Sequence, residues 1–129
     1  MSYNINKTLH TDFNSAVTQV KNALKEEGFG VLSEIDVNET LKKKLDIDFR
    51  KYKILGACNP PNAHKALLTE PNVGTMLPCN VVVQEIESNK IEVVAVNPQA
   101  SMMAIENDEL QEIAGNIKSK LEKVIQSLS

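Results

Sequence analysis

Apolar residues recur along this chain with two different periods, and the changes of period mark its elements. Tyr3, Ile5, Lys7 and Leu9 share one phase of an alternating segment, which predicts a first strand. Phe13, Val17, Val20 and Leu24 follow at spacings of four, three and four, the stripe of a helix that Asp12 caps and Gly28 stops. In the next strand Val31, Ser33, Ile35 and Val37 are expected on one face, with Leu32, Glu34 and Asp36 on the other. NETLKKKL then reads as a short helix capped by Asn38, and YKILGAC as a third strand.

Asn59-Pro60-Pro61 opens a further helix, since Asn caps well and Pro is tolerated in a first turn. PCNVVVQEI and KIEVVAV form a predicted hairpin joined at Glu87-Ser88-Asn89. Both strands are apolar on two faces: Val81 and Val83 oppose Val82, and Val93 opposes Val94 and Val96. Two-sided apolarity implies burial on two sides, by helices on one face and by a second subunit on the other. Pro98 ends the hairpin, and a polar-capped segment leads into a long helix. Its stripe is Leu110, Ile113, Ile117, Leu121, Val124 and Leu128. At 1.5 Å per residue such a helix spans ~30 Å, enough to cross a sheet. The pattern is α+β, with five strands and no repeat or linker, so residues 1–129 are expected to form a single domain.

Composition narrows the classes. The chain has 129 residues, no Trp and five aromatic residues in all, so its core must be aliphatic. A formal charge of −3 gives no general drive toward nucleic acid or anionic membranes. Lys42, Lys43, Lys44, Arg50, Lys51 and Lys53 do leave residues 42–53 locally positive, against Asp46 and Asp48. Only Phe49 and Tyr52 interleave with them and no nucleic-acid motif is present, so a solvated face is expected and nucleic acid is not. MSYNINKTLHTDF lacks a basic region followed by an apolar run, and no apolar run reaches the ~20 residues of a membrane span. A cytoplasmic protein without a signal peptide is expected, with its two cysteines reduced.

The chemistry concentrates in ILGACNPPNAHKALLTEPNVGTMLPCN, which holds both cysteines, His64 and four of the five prolines. GFGVLSEIDV, LKKKLDIDFRKYKILGACNPPNAHKAL and MLPCNVVV resemble the bacterial and archaeal family called domain of unknown function 302, over nearly the whole chain. The Gly-Ala-Cys-Asn-Pro and Leu-Pro-Cys-Asn blocks, in that order, carry the resemblance. It implies a compact fold similar to TATA-binding-protein-like domains: a curved, largely antiparallel sheet with long helices on one face, often dimeric. It supplies no activity.

Read residue by residue, Cys58, His64 and Cys79 form a ligand set suited to a soft metal such as zinc or copper. Their spacing, C-x5-H-x14-C, works only if the two flanking strands run antiparallel and bring the cysteines together. The alternative is a pair of ordinary buried cysteines. Cys58 alone, beside the positive end of a helix, could instead be a reactive thiol or border an anion site, with His64 as proton carrier. Asn59 and Asn80, next to the two cysteines, are candidate pocket residues. Glu34 and Asp36 share a strand face and are either an acid/base or cation pair or a solvated edge. Met102 and Met103 either line a soft pocket or fill a gap. Phosphate-loop, G-x-S-x-G, H-E-x-x-H and CxxC motifs are absent. The leading expectation is a homodimeric module binding a small ligand or soft metal around Cys58, Asn59, His64, Cys79 and Asn80. The alternatives are a thiol-dependent enzyme or redox protein using Cys58, and an interaction protein with structural cysteines.

Overall fold

The computed structural model describes residues 2–129. Five strands, β1 (Asn4–Leu9), β2 (Gly30–Asp36), β3 (Tyr52–Cys58), β4 (Cys79–Glu87) and β5 (Lys90–Val96), form one curved, unclosed sheet. Their spatial order is β1-β5-β4-β3-β2 and every neighbouring pair is antiparallel. The helices are α1 (Phe13–Glu26), α2 (Val37–Leu45), α3 (Pro60–Thr69), α4 (Pro98–Ser101) and α5 (Asp108–Ser127), with a 3-10 turn at Pro71–Met76. The α+β architecture with an open antiparallel sheet and helices packed on it is the one the pattern and the resemblance predict.

Helix α1 forms where its stripe requires. Asp12 accepts from the Ser15 N–H at 2.8 Å, and Phe13, Val17, Val20 and Leu24 are buried. At the other end Phe29 N–H reaches Leu24 C=O and Gly28 N–H reaches Lys25 C=O. Gly28 has φ +82°, the left-handed turn that closes a helix in this way. Helix α5 packs beside α1 and α3 and lies over β1 and β5. Its whole predicted stripe is buried, from Leu110 through Leu128. Lys7, on β1, donates to the carbonyls of Gln126 and Leu128, placing a cation at the negative end of α5.

The direct pairings assign the paired sheet residues to two faces. Leu55, Ala57, Cys79, Val81, Val83, Ile91, Val93 and Ala95 are buried beneath the helices. On the other face Ile35, Ile54, Val82 and Val94 pair directly across four strands. They remain half-buried or exposed.

Strand β2 departs from its predicted alternation. Val31 pairs with Ala57, but the next pairing is Ser33 with Gly56, so Leu32 is an extra residue in a β-bulge. The bulge returns Ser33 and Ile35 to the face opposite Val31, and leaves Leu32 70% exposed. The strand also stops at Asp36, and Val37 is already helical. Asn38 is therefore inside α2 and does not cap it. Its Oδ1 accepts from the Tyr52 N–H at 3.1 Å and fixes the start of β3.

Candidate functional site

The antiparallel pairing of β3 and β4 settles where the cysteines lie. Ala57, one residue before Cys58, is the partner of Cys79, so the end of β3 meets the start of β4. Both cysteines border one cavity of about 250 Å³. Phe29, Leu32, Ala63, Leu77, Pro78 and Ile117 supply most of the remaining wall. Both cysteines are free; Cys58 is half-buried and Cys79 is 4% exposed. Burial pushes the Cys79 thiol up to about 11, with the charge of a nearby Cys58 as a lesser cause.

Asn59 also borders the cavity, but all its polar capacity is spent within the fold. Its Oδ1 accepts from the Asn62 backbone N–H at 3.3 Å and the Asn62 side-chain amide at 3.0 Å. Its Nδ2 donates to the carbonyls of Glu27 and Gly28 at 3.4 and 3.3 Å. Asn59 thus caps α3 and clamps it to the end of α1. The same cap occupies the positive helix end. Pro60 and Pro61 carry no N–H, Asn62 N–H is taken by Asn59 Oδ1, and Ala63 N–H by Asn59 C=O at 2.9 Å. These first positions leave no donor for an anion beside Cys58.

His64 and Asn80 stand apart from the cavity. His64 is exposed on α3, and Asn80 is exposed on β4, on the uncovered sheet face opposite Cys79. Among the described residues, no three His, Cys, Asp or Glu side chains are grouped to hold a metal ion. The structure gathers Cys58, Asn59 and Cys79 and leaves His64 and Asn80 outside.

The other candidates have local partners. Glu34 pairs with Lys21 at 2.7 Å and with Lys53 at 3.3 Å, and Lys53 continues to Asp36 at 3.5 Å. The Lys21 hydrogen bond, with help from Lys53, holds the Glu34 carboxyl below its ordinary value. The two carboxylates are an ion-paired sheet edge. In the basic segment, Lys42 pairs with Asp46 and Asp48, and Arg50 lies 4.5 Å over the Phe49 ring while donating to Gln84. Met102 is core and Met103 is exposed.

Sequence reasoning missed Phe29, Leu32, Ala63, Leu77, Pro78 and Ile117 as cavity walls. Leu77 and Pro78 directly precede Cys79, and Ile117 belongs to the α5 stripe, so both signals were legible as core. Leu32 had none, because only the bulge turns it to this place.

An open-faced α+β protein with a thiol-bearing apolar cavity is the class that fold and site define. The chain belongs to the family described as Domain of unknown function DUF302, whose profile matches residues 5–128. It is similar to an uncharacterised conserved DUF302 protein from Bacillus stearothermophilus whose crystal structure is known. The two share 30% identity over 98% of each chain, with a TM-score of 0.90. No curated protein matches the chain. Among the described residues no helix is long and apolar enough to cross a membrane.

Proposed function

We propose that the protein binds a small, uncharged, apolar ligand in the cavity bordered by Cys58 and Cys79. One observation carries this reading: the lining is apolar side chains, two thiols and one amide whose hydrogen bonds are all internal. A charged ligand would lose its hydration there with no partner to replace it. A volume of about 250 Å³ lies just below the ~300–1,000 Å³ range of ordinary ligand pockets, which suits one or two rings and not a nucleotide. No imidazole or carboxylate borders the thiols, so binding is better supported than thiol-dependent catalysis. Zinc takes three or four protein ligands. With two sulfurs on hand, the soft-metal version narrows to an ion such as copper(I).

Indole tests the reading. Titrated into isotopically labelled protein, it should shift the amide resonances of Phe29, Leu32, Cys58 and Ala63 saturably, while benzoate should not. Ala63→Phe, which fills the cavity, should abolish the response in a folded protein. Equal shifts from indole and benzoate, or none from either, would sink the idea.

The partner that fits best is a second copy of the chain, placed on the uncovered sheet face. The row Ile35–Ile54–Val82–Val94 supports this, together with the near absence of charge around it. Within the strands the charged side chains on this face are paired: Glu92 accepts from Gln84 at 2.9 Å, Gln84 in turn accepts from Arg50, and Glu87 and Lys90 form an ion pair at the hairpin end. Two copies can therefore meet there without like-charge repulsion. Two free cysteines support a reducing compartment, the cytoplasm.

A further inference from the structure

The uncovered sheet face carries a hollow of about 330 Å³ that shares no residue with the cavity bordered by the cysteines. The register puts its side chains on one face. Asn6 pairs with Val94, Val94 with Val82, Tyr52 with Gln84, and Gln84 with Glu92. Tyr52, Gln84 and Glu92 each lie two residues from a member of the apolar row, so they point the same way as that row. Val82 and Val94, on β4 and β5, form the floor, and Tyr3 and Tyr52 border it from the β1 and β3 sides.

The hydrogen bonds across this face leave two acceptors open. Asn6 Nδ2 donates to Asn4 Oδ1 at 2.8 Å, and Gln84 Nε2 donates to Glu92 Oε1 at 2.9 Å. The Gln84 amide is held in that orientation because its Oε1 accepts from Arg50 Nε at 3.0 Å. Arg50 itself stands outside the hollow, 4.5 Å over the Phe49 ring. Among the described residues, Asn6 Oδ1 and Glu92 Oε2 have no hydrogen-bond partner. Glu92 is half-buried and is the one charged side chain bordering the hollow. A partly desolvated carboxylate, an open amide oxygen and two tyrosine rings favour a cation that brings its own N–H donors. A metal cation would need several oxygen or nitrogen ligands together, and among the described residues no three His, Cys, Asp or Glu side chains are so grouped.

We propose that this hollow binds a small organic ammonium ion, a primary amine on a short or single-ring stem. Its N–H groups donate to Glu92 Oε2 and Asn6 Oδ1, and its stem lies on Val82 and Val94. The tyrosine rings flank the charge. The volume stands at the lower end of the ~300–1,000 Å³ range of ligand pockets, which admits one ring. The site is independent of the apolar-ligand reading, whose cavity has a different lining. It does meet the second-copy reading, because Val82 and Val94 also belong to the apolar row that a second copy would cover. Amine and second copy therefore exclude each other, and this consequence alone rests on that reading.

Benzylamine and benzyl alcohol, which differ in charge and little in shape, test the site at neutral pH. In isotopically labelled protein, benzylamine should saturably shift the backbone amides of Asn6, Gln84 and Glu92 and the side-chain amides of Asn6 and Gln84. Benzyl alcohol should bind there about tenfold more weakly or less. Glu92→Gln keeps an acceptor for Gln84 and removes the charge, so it should bring benzylamine down to the level of the alcohol. Equal binding of the two probes, no response to benzylamine, or undiminished binding by folded Glu92→Gln protein would overturn the site. Sedimentation at saturating benzylamine reads the exclusion: dimer should give way to monomer. A dimer that persists with amine bound would refute the exclusion. A protein that is monomeric from the start would refute the second copy and with it the exclusion, while the amide shifts still decide the site.

Discussion

Asn59 donates from its side-chain amide to the carbonyl of Gly28, across 31 positions of sequence, at 3.3 Å. Gly28 sits where a Cβ would come within 3.2 Å of that same nitrogen, so the close approach needs glycine as much as the positive φ does. Helix α1 therefore ends against the residue that starts α3. Asn59→Ala removes the cap and the clamp together and should cost about 1–3 kcal/mol in urea unfolding. Asn59→Asp keeps the cap but turns a carboxylate toward the Glu27 and Gly28 carbonyls, and should also destabilise. A loss below about half a kilocalorie in both would show that the clamp is not structural.

Gly56 lies under Ser33 and Pro78. An added Cβ would meet Pro78 Cγ at 2.9 Å and collide with Ser33 Oγ. Ser33 can rotate away, whereas the Pro78 ring has less freedom. Gly56→Ala should cost about 1–3 kcal/mol, and Ser33→Ala in the same chain should recover part of it. Full recovery would show that the proline ring moves freely.

Glu34 links stability to pH. Its carboxyl is held below the ordinary 4.5 in the folded state, chiefly by the Lys21 hydrogen bond. The unfolded chain binds the proton more readily, so this stabilisation is present above about pH 4.5 and is lost as pH falls through the lower, folded value. Its size is small because the carboxylate is partly exposed and screened by solvent. Glu34→Gln should lower the urea midpoint slightly at pH 7, and the difference should fade on acidification or in high salt. A difference that grows toward low pH would contradict the assignment.

Val82 is central in the apolar row of the uncovered face, between Ile54 and Val94. Val82→Asp should move sedimentation from dimer to monomer without loss of helical signal. An unsubstituted chain that sediments as a monomer at micromolar concentration would refute the second-copy assignment.

Leu121 is fully buried in the α5 stripe. Leu121→Ala should cost about 2–5 kcal/mol. A cost under half a kilocalorie would mean that α5 is not the helix that closes the core.

Sequence periodicity was informative wherever burial is one-sided. The spacing of Phe13, Val17, Val20 and Leu24 is enough to place α1, and Asp12 and Gly28 mark its ends. The alternation of Val81, Val82 and Val83 gives a buried strand, and the pairing then decides which valine faces the helices. Irregularities were illegible, since each depends on a contact made across the fold. Leu32 has no local signal for a bulge, and Asn38 resembles a cap until Tyr52 N–H claims its side chain. At the site, the approach of Cys58 and Cys79 hung on one unknown, the relative direction of β3 and β4. His64 differs: its composition suggested a ligand, but the turn of α3 that Asn59 fixes leaves it facing water.

The extra residue in β2 has a consequence for how the cavity can vary. Leu32 belongs to neither the pairing ladder nor the packed interior, yet it walls the cavity. Its side chain can be exchanged for a larger, smaller or polar one without breaking a hydrogen-bonded pair or emptying the core. The cavity thus has one adjustable wall set in an otherwise rigid frame, so that its shape can drift while the protein's stability stays put.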